Sequence, residues 1–211
     1  MYDGRRSSKA RRLQIESVEA MAKRVTIVGV GALGSHVSLF LRNDAELKIV
    51  DHDRVERKNV LAQFHGVPGV GKNKVQALQQ AMQFMFGLKL QGVPHKLTAD
   101  NVGELLSGSD LIIDCLDNAQ ARLLVQAFAR KNKVPCLHGA LAADGSFGRV
   151  VWDESFAIDS ENVQGAPTCE GGEHLPFIGT VSALLAKAAQ EFVTKGKKIG
   201  FEMHPGGVTR T

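Results

Sequence analysis

Short apolar runs of strand length alternate along this chain with longer segments that carry apolar residues at helical spacing. Apolar runs bounded by turn residues predict strands, and recurrence every three or four residues predicts helices. The predicted strands are 25–28, 47–50, 88–97, 111–116, 134–137, 148–152 and 199–203, and the predicted helices are 32–42, 73–86, 101–106, 119–132 and 177–195. Because strands alternate with helices, we expect an α/β fold built on a doubly wound, mostly parallel, Rossmann-like sheet.

The length and the charge distribution predict one domain preceded by a basic segment. A chain of 211 residues is long enough for one α/β domain with a sizeable core and marginal for two. We therefore predict a basic N-terminal arm or helix at 1–23 and a single domain at 24–211. Residues 1–24 hold seven of the 26 Lys and Arg residues but three of the 22 Asp and Glu residues, so they carry the net charge of +4. Such a terminus is more often solvated than bound to RNA, which makes nucleic acid a less favoured partner that stays open.

Hydropathy and cysteine usage argue against several classes of protein. No apolar run approaches the roughly 18 residues of a membrane span, and no signal peptide is evident, so we expect neither a membrane protein nor a secreted one. The chain has three cysteines, Cys115, Cys136 and Cys169, with no CxxC pair. That pattern argues against a disulfide framework and a structural zinc site and suits the reducing cytoplasm, where we expect the protein to reside.

A glycine-rich turn is the strongest chemical signal, because strand 25–28 runs directly into Gly29-Val-Gly31-Ala-Leu-Gly34. In a nucleotide-binding βαβ unit, the first glycine permits the tight turn, the second lets the backbone approach a phosphate, and the third lets the helix pack close to the strand. The helix N-terminus then favours a phosphate. Asp51 follows the second strand, twenty residues past Gly31, where a carboxylate accepts hydrogen bonds from ribose hydroxyls. These residues predict a nucleotide site, and they fit NAD as well as ATP.

Charged residues further along the chain bear on that choice. Asp117 and Asn118 follow strand 111–116, at the same edge of the sheet as the glycine turn. A carboxylate that faces phosphates is disfavoured unless a metal ion lies between them, which makes Asp117 a candidate Mg²⁺ ligand. Both residues also suit capping of the next helix, and the two roles can coexist. Lys74, at a helix start soon after Gly71, can reach phosphates as a point charge, although taken alone it is more typical of a solvated surface lysine.

The order and spacing of these motifs resemble the E1-like, ThiF/MoeB-type adenylating enzymes, which activate ubiquitin-like and sulfur-carrier proteins. The resemblance spans about residues 24–203. It rests on four segments, which are Val28-Gly-Val-Gly-Ala-Leu-Gly34-Ser35, Ile49-Val-Asp51-His-Asp53-x-Val-Glu-x-x-Asn59, Val70-Gly71-x-x-Lys74-Val75 and Asp114-Cys-Leu-Asp117-Asn118.

The resemblance implies an adenylation domain of the E1-like type, with ATP and Mg²⁺ as cofactors. It implies that Asp51 holds the ribose, that Lys74 contacts the phosphates with help from Asn59, and that Asp117 binds Mg²⁺. It also implies that a carboxylate, usually the C-terminus of a carrier protein ending in Gly-Gly, attacks the α-phosphate to give an acyl-adenylate and pyrophosphate. Catalysis of that step is mainly positioning and charge stabilisation. Whether an E2-like transfer protein acts next stays open.

Cys169 lies in a glycine-rich loop where related enzymes often carry the cysteine that takes over the acyl group or sulfur. The loop has the sequence Gln164-Gly-Ala-Pro-Thr-Cys169-Glu-Gly-Gly172. A thiolate there would attack the acyl-adenylate to give a thioester. A loop cysteine with no role is equally compatible with the sequence, because Glu170 and Glu173 would raise its pKa. The other two cysteines lie in apolar strand runs and are expected to pack in the core.

Ala62 is the main departure from the family pattern. Related enzymes carry a phosphate-binding Arg in a Leu-x-Arg-Gln sequence, whereas this chain has Asn59-Val-Leu-Ala62-Gln63 and therefore lacks one cation. We expect a homodimer in which Arg5 or Arg6 of one protomer reaches the site of the other.

Three other functions stay open. The same chemistry on another carboxylate, such as a modified tRNA base or a peptide C-terminus, is supported only by the basic segment. A non-catalytic E1-like scaffold subunit is supported by Ala62, but the presence of Asp51, Lys74 and Asp117 argues against it. A nicotinamide-dependent dehydrogenase comes last, because nothing in the chain resembles a separate substrate domain.

Overall fold

The computed structural model of this chain describes residues 23–157 and 172–211. The strands are β1 (Arg24–Val28), β2 (Glu46–Val50), β3 (Gln91–Val93), β4 (Leu111–Asp114), β5 (Cys136–Leu141), β6 (Gly148–Trp152), β7 (Phe201–His204) and β8 (Gly207–Arg210). The α-helices in these ranges are α1 (Ala32–Phe40), α2 (Lys74–Phe86), α3 (Val102–Leu106), α4 (Ala119–Asn132) and α5 (Leu175–Lys195), and 3₁₀ turns span Arg57–Leu61, Val67–Gly69 and Asp153–Ser155. None of these helices is both long enough and apolar enough to cross a membrane.

All eight strands form one sheet in the order β3-β2-β1-β4-β5-β6-β7-β8. Strands β1 to β5 pair in parallel, and β6, β7 and β8 continue the sheet with antiparallel pairs. The predicted α/β fold with a doubly wound, mostly parallel sheet is therefore confirmed. Strands β2 and β3 extend the sheet on one side of β1, and β4 to β8 extend it on the other side. The strand order therefore reverses between β1 and β4. The carboxyl ends of those two strands form the crevice in which such sheets bind ligands.

Apolar side chains cover both faces of the sheet. On one face Ile27 of β1 packs in a cluster with residues of α1, α2 and α5, including the fully buried Leu185. On the other face Ile112 of β4 packs with residues of α3 and α4, including Val125. Because the central strands are buried on both sides, their sequences are continuous apolar runs rather than alternating ones.

Several strands differ from their predicted bounds, and the strand predicted at 111–116 ends at Asp114. The weak strand predicted at 88–97 is confined to β3, since Pro94 directly after it has no N–H to donate to a ladder. The strand predicted at 134–137 begins later and runs on to Leu141, because its second half pairs with β6. The strand predicted at 199–203 is β7, and β8 returns beside it although no strand was predicted there. The four residues of β8 are all exposed, so they carry no hydrophobic alternation.

Gly34 allows α1 to pack directly against the turn that follows β1. A Cβ atom built on Gly34 would lie 1.8 Å from the carbonyl oxygen of Gly29 and 3.2 Å from the side chain of Ile27. Gly29 itself has a φ of +86°, and a Cβ there would lie 2.9 Å from the carbonyl oxygen of Cys115. Both glycines are therefore required by close backbone contacts, as the motif predicts.

We expect Gly34→Ala to lower the free energy of unfolding by at least about 2 kcal/mol, because helix α1 must move away from the turn to admit the methyl group. Gly179→Ala in α5 is the matched control, since no described residue beyond its own helix backbone and chain neighbours lies within 4 Å of its Cβ position. That control should instead raise stability by about 0.5–1 kcal/mol, the gain in helix propensity. Chemical denaturation measures both variants. Equal, small effects would contradict the packing argument.

Candidate active site

The glycine turn is held between the ends of β2 and β4. The Gly29 N–H donates to the carbonyl oxygen of Val50 at 2.8 Å, and the Val30 N–H donates to Asp51 Oδ2 at 2.8 Å. On the other side, the Cys115 N–H donates to the carbonyl oxygen of Val28 at 2.9 Å. These contacts gather the carboxyl ends of β1, β2 and β4 around one turn, at the crevice where the strand order reverses.

The N-terminus of α1 is open toward this crevice. Gly31 is the N-cap residue, no side chain of residues 23–157 or 172–211 caps the helix, and no acidic residue lies in its first turn. A Cβ atom on Gly31 would come within 4 Å of one atom among the described residues outside the turn and the helix backbone, Gln63 Nε2 at 3.9 Å. The uncapped N–H groups and the positive end of the helix dipole are available to an anion such as a phosphate.

Asp51 links the glycine turn to the segment that follows β2. Its Oδ2 accepts from Val30, and its Oδ1 accepts from the Asp53 N–H at 2.8 Å. Burial raises the pKa of the Asp51 carboxyl, and this effect outweighs the opposing influence of Lys74 and of the two N–H donors. Each carboxylate oxygen keeps a further lone pair with which it can accept from a hydroxyl group.

Lys74 is buried beside Asp51, so the alternative of a solvated surface lysine is wrong. Its Nζ atom lies 3.0 Å from Asp53 Oδ2, and its side chain is 10% exposed. Asn73 places it there by capping α2, because its Oδ1 accepts from the Val75 N–H at 2.8 Å. The structure thus brings the predicted Lys74 to the same edge of the sheet as the glycine turn.

Asn59 is also buried, and its side chain accepts a hydrogen bond from the nearby backbone. Its Oδ1 accepts from the Glu56 N–H at 2.8 Å, which caps the 3₁₀ turn over 57–61. Ala62 ends that turn and is fully buried. The position that carries Arg in the family pattern therefore faces the interior of this chain.

Asn118, not Asp117, caps helix α4. The Asn118 Oδ1 accepts from the Ala121 N–H at 2.8 Å, while Asp117 is exposed. The alternative that Asp117 is a cap residue is therefore wrong for its side chain. Asp117 follows Cys115 and Leu116, whose backbone atoms lie against Gly29, so it belongs to the loop that packs on the glycine turn.

Two carboxylates and an imidazole lie close together just after β2. Ligand atoms of Asp51, His52 and Asp53 all lie within 4.8 Å of one another. The Asp51 oxygens already accept backbone hydrogen bonds, and Asp53 is paired with Lys74. No hydrogen bond or ion pair of this kind engages the Asp117 carboxylate among the described residues.

Arg122 fixes the loop that presents Asp117. Its Nε and Nη2 donate to the carbonyl oxygen of Leu116, and Nη2 also donates to the carbonyl oxygen of Gly139 on β5 at 2.9 Å. Its Nη1 lies 3.5 Å from Asp114 Oδ2. The guanidinium thereby ties the end of β4 to β5. The sequence analysis assigned Arg122 no role.

Asp114 continues into a buried polar network that the sequence analysis missed. Its Oδ2 lies 2.7 Å from Nδ1 of the fully buried His138, whose Nε2 lies 3.2 Å from Asp153 Oδ1. Burial opposes ionisation of Asp153, but hydrogen bonds from Arg130, Gln126 and His138 hold the pKa of its carboxyl below the usual value. The available signal was the placement of polar residues at the ends of apolar strands.

His65 is a further buried residue that sequence reasoning missed. Its Nε2–H donates to the carbonyl oxygen of Val30 in the glycine turn at 2.8 Å. Burial lowers the pKa of His65 to about 4; the hydrogen bond to Val30 opposes this shift, while Lys74 and His36 add to it. The imidazole is therefore neutral near pH 7.

Several predicted residues lie outside the described ranges, namely Cys169, Arg5 and Arg6. Their roles, the arm at 1–23 and the homodimer stay predictions. The other two cysteines lie where the sequence predicts, Cys136 buried and Cys115 partly buried. Burial raises the pKa of both thiols, which disfavours either as a nucleophile.

Comparison with known proteins identifies the family. A model of the ThiF family matches residues 11–202. The chain belongs to the ThiF family. This ThiF-family chain is 29% identical over 193 residues to molybdopterin-synthase adenylyltransferase of Salmonella typhimurium, a match that covers 85% of the chain and 76% of that enzyme. It is 34% identical over 128 residues to SAMP-activating enzyme E1 of Haloferax volcanii, a match that covers 57% of the chain and 46% of that enzyme.

Solved structures agree with the family fold. The ThiF-family chain superposes on Escherichia coli MccB with ATP at a TM-score of 0.72, with 17% identity, over 90% of this chain and 63% of that one. It superposes on PaaA at a TM-score of 0.68, with 15% identity, over the whole chain and 74% of that one. These likenesses establish the shared fold.

We expect removal of the His65 imidazole to flatten the pH dependence of stability. Because the folded pKa lies below the ordinary value of 6.5, the unfolded chain binds the proton first, so His65 costs stability as the pH falls from about 6.5 to about 4. Between about pH 7 and pH 5 this amounts to about 2 kcal/mol. Denaturation at both pH values should show that His65→Leu loses correspondingly less stability than the unsubstituted protein. An unchanged slope would contradict burial of a neutral imidazole.

Proposed function

We propose that this protein is an E1-like adenylyltransferase that activates the C-terminal carboxylate of a ubiquitin-like or sulfur-carrier protein with ATP. The observation that carries the proposal is the convergence of the glycine turn, Asp51, Lys74 and Asp117 on one sheet edge beside an uncapped helix N-terminus. The names of two relatives, molybdopterin-synthase adenylyltransferase and SAMP-activating enzyme E1, support the same class of reaction.

The turn residues are assigned to the triphosphate. Gly29 and Gly34 shape the turn, and Gly31 leaves its backbone open to a phosphate at the α1 N-terminus. The Asp51 carboxylate accepts from ribose hydroxyls with its remaining lone pairs. Lys74 supplies positive charge toward the phosphates from its buried position, and Asn59 supports the site by capping the adjoining 3₁₀ turn.

Mg²⁺ fits at Asp117. The ion prefers carboxylate and phosphate oxygens, and Asp117 offers an exposed carboxylate next to the phosphate turn. Bound there, the ion would neutralise charge on the phosphates. Arg122 maintains the backbone position of Asp117 through its hydrogen bonds to Leu116 and Gly139.

The reaction needs positioning rather than a protein nucleophile. A carboxylate oxygen of the carrier attacks the α-phosphorus, an acyl–phosphate bond forms, and the bond to pyrophosphate breaks. The chain contributes by orienting the phosphates at α1 and by placing positive charge where negative charge develops on the leaving group. Lys74 is the described residue best placed for that second task.

Cys169 is proposed to take over the acyl group. Its thiolate attacks the acyl carbon, a thioester forms, and AMP leaves with the electron pair of the broken bond. The flanks of its segment support this role. A Cβ on Gly172 would lie 3.7 Å from the carbonyl oxygen of Leu61, beside the turn that holds Asn59. Upstream, the Phe156 ring stacks on His138 at 4.0 Å, in the buried network that includes Asp114.

The cellular location and the oligomeric state of the protein are also proposed. We assign the protein to the cytoplasm, because Cys115 and Cys136 are both free thiols. We also propose a homodimer and leave an E2-like acceptor as a possible next partner. A tRNA base or a peptide C-terminus is the alternative substrate, and exchange assays with these candidates separate it from a carrier protein.

Asp117→Ala should lower ATP–pyrophosphate exchange at least about a hundredfold, since a catalytic metal ion supplies several kcal/mol of charge stabilisation. Its thermal stability should match that of the unsubstituted protein because the side chain is exposed. Glu104→Gln, an exposed carboxylate on α3, is the control and should keep full exchange. Undiminished exchange in Asp117→Ala would remove the metal assignment.

Calorimetry with the unsubstituted protein tests the cofactor itself. Mg-ATP should bind more tightly than NAD, because Lys74 and Asp117 suit a triphosphate with its metal ion. Tighter binding of NAD would contradict adenylation.

Cys169→Ser should separate the two chemical steps. Exchange of pyrophosphate reports adenylation and should be retained, whereas the thiol-sensitive adduct with the carrier protein should disappear. Cys136→Ala is the matched control, since that buried thiol should not affect the adduct. If the adduct persists in Cys169→Ser, Cys169 is not its site and another thiol accepts the acyl group. If it never forms with a carrier that supports exchange, the enzyme stops at the acyl-adenylate.

A further inference from the structure

Gln63 is held against the glycine turn by its two neighbours. The Phe64 N–H donates to Ser35 Oγ at 2.9 Å, and that hydroxyl in turn donates to the carbonyl oxygen of Gly31 at 2.6 Å. On the other side of the turn, His65 donates to the carbonyl oxygen of Val30 at 2.8 Å. The backbone at residue 63 is therefore fixed over the N-terminus of α1.

The side chain of Gln63 is aimed at the place where a phosphate would lie. Its Nε2 atom lies 3.9 Å from the position that a Cβ on Gly31 would occupy. This amide donor therefore borders the space that the second glycine of the motif leaves open. An N–H donor in that place matches the acceptor oxygens of a phosphate.

Nothing in the described part of the chain explains why an amide stands here. Gln63 is 7% exposed, and its buried Oε1 atom has no hydrogen-bond partner among the described residues. A buried polar atom without a partner reduces stability, so an apolar side chain of similar size would serve the fold better. An amide that costs stability next to an open helix N-terminus indicates a role in binding.

We propose that Gln63 is a binding residue of the nucleotide, in which its Nε2–H donates to a phosphate oxygen at the N-terminus of α1. The inference rests on the proposed function. Gln63 also directly follows the position at which related enzymes carry a phosphate-binding Arg. In this chain the fully buried Ala62 stands there and places no side chain toward the phosphates, whereas Gln63 does. A neutral donor from residue 63 supplements the charge of Lys74.

Gln63→Leu tests the proposal, because it keeps the size of the side chain and removes its polar atoms. We expect the Kd for Mg-ATP, measured by calorimetry, to rise at least about tenfold, the usual effect of losing a hydrogen bond to a charged group. The Tm without nucleotide should stay the same or rise, since an unpartnered buried atom is removed. Gln63→Glu should weaken binding further, because its carboxylate repels the phosphates.

Gln79→Leu is the matched control. Its amide donates to the carbonyl oxygen of Leu90 at 2.8 Å, so this variant should lower the Tm and leave the Kd for Mg-ATP unchanged. Where Gln63→Leu does not fold, Gln63→Met carries the same test with a more flexible side chain.

The outcomes distinguish this inference from the proposed function. If the unsubstituted protein binds Mg-ATP and Gln63→Leu binds it equally well, the inference is overturned and the proposed function stands. A lower Tm in Gln63→Leu together with an unchanged Kd assigns Gln63 a purely structural role. If the unsubstituted protein does not bind Mg-ATP, the proposed function fails and this inference fails with it.

Discussion

The hydrogen bond from the Val30 N–H to the Asp51 carboxylate is the contact on which the candidate site depends. It joins the turn after β1 to the end of β2 and holds the glycine turn in the conformation that opens the α1 N-terminus. The contact is possible because Gly34 lets α1 approach the Gly29 carbonyl, a distance that a methyl group would prevent. Partial burial of a carboxylate costs free energy in isolation, and the two backbone donors and Lys74 offset part of that cost.

Positive charge in the described part of the site is modest for a nucleotide triphosphate. Lys74 is paired with Asp53, and Ala62 occupies the position where related enzymes carry an Arg. The helix N-terminus compensates in part, because its dipole and free N–H groups favour an anion without a net charge on the protein. An additional neutral donor, such as the Gln63 amide, fits a site that relies on oriented dipoles.

The polar network behind β4 and β5 supports the site from within the sheet. Arg122, Asp114, His138 and Asp153 satisfy one another in the interior, where an unpaired member would be expensive. The network connects the loop that carries Asp117 to the 3₁₀ turn at Asp153–Ser155. Rigid placement of catalytic loops by such buried contacts is what a reaction that depends on positioning requires.

The local sequence pattern was enough to predict the α/β class, because a strand that is buried on both faces is a continuous apolar run. It was also enough to predict the glycine turn, because a tight strand-to-helix turn requires glycine at particular positions. The same local logic identified Asp51 and Asp117 as strand-end carboxylates. Tertiary structure alone decided that Lys74 is buried beside Asp53 and that an exposed strand, β8, completes the sheet. Those features arise from contacts between residues distant in the chain or from edge pairing without a hydrophobic face, and neither leaves a periodic signal in the sequence.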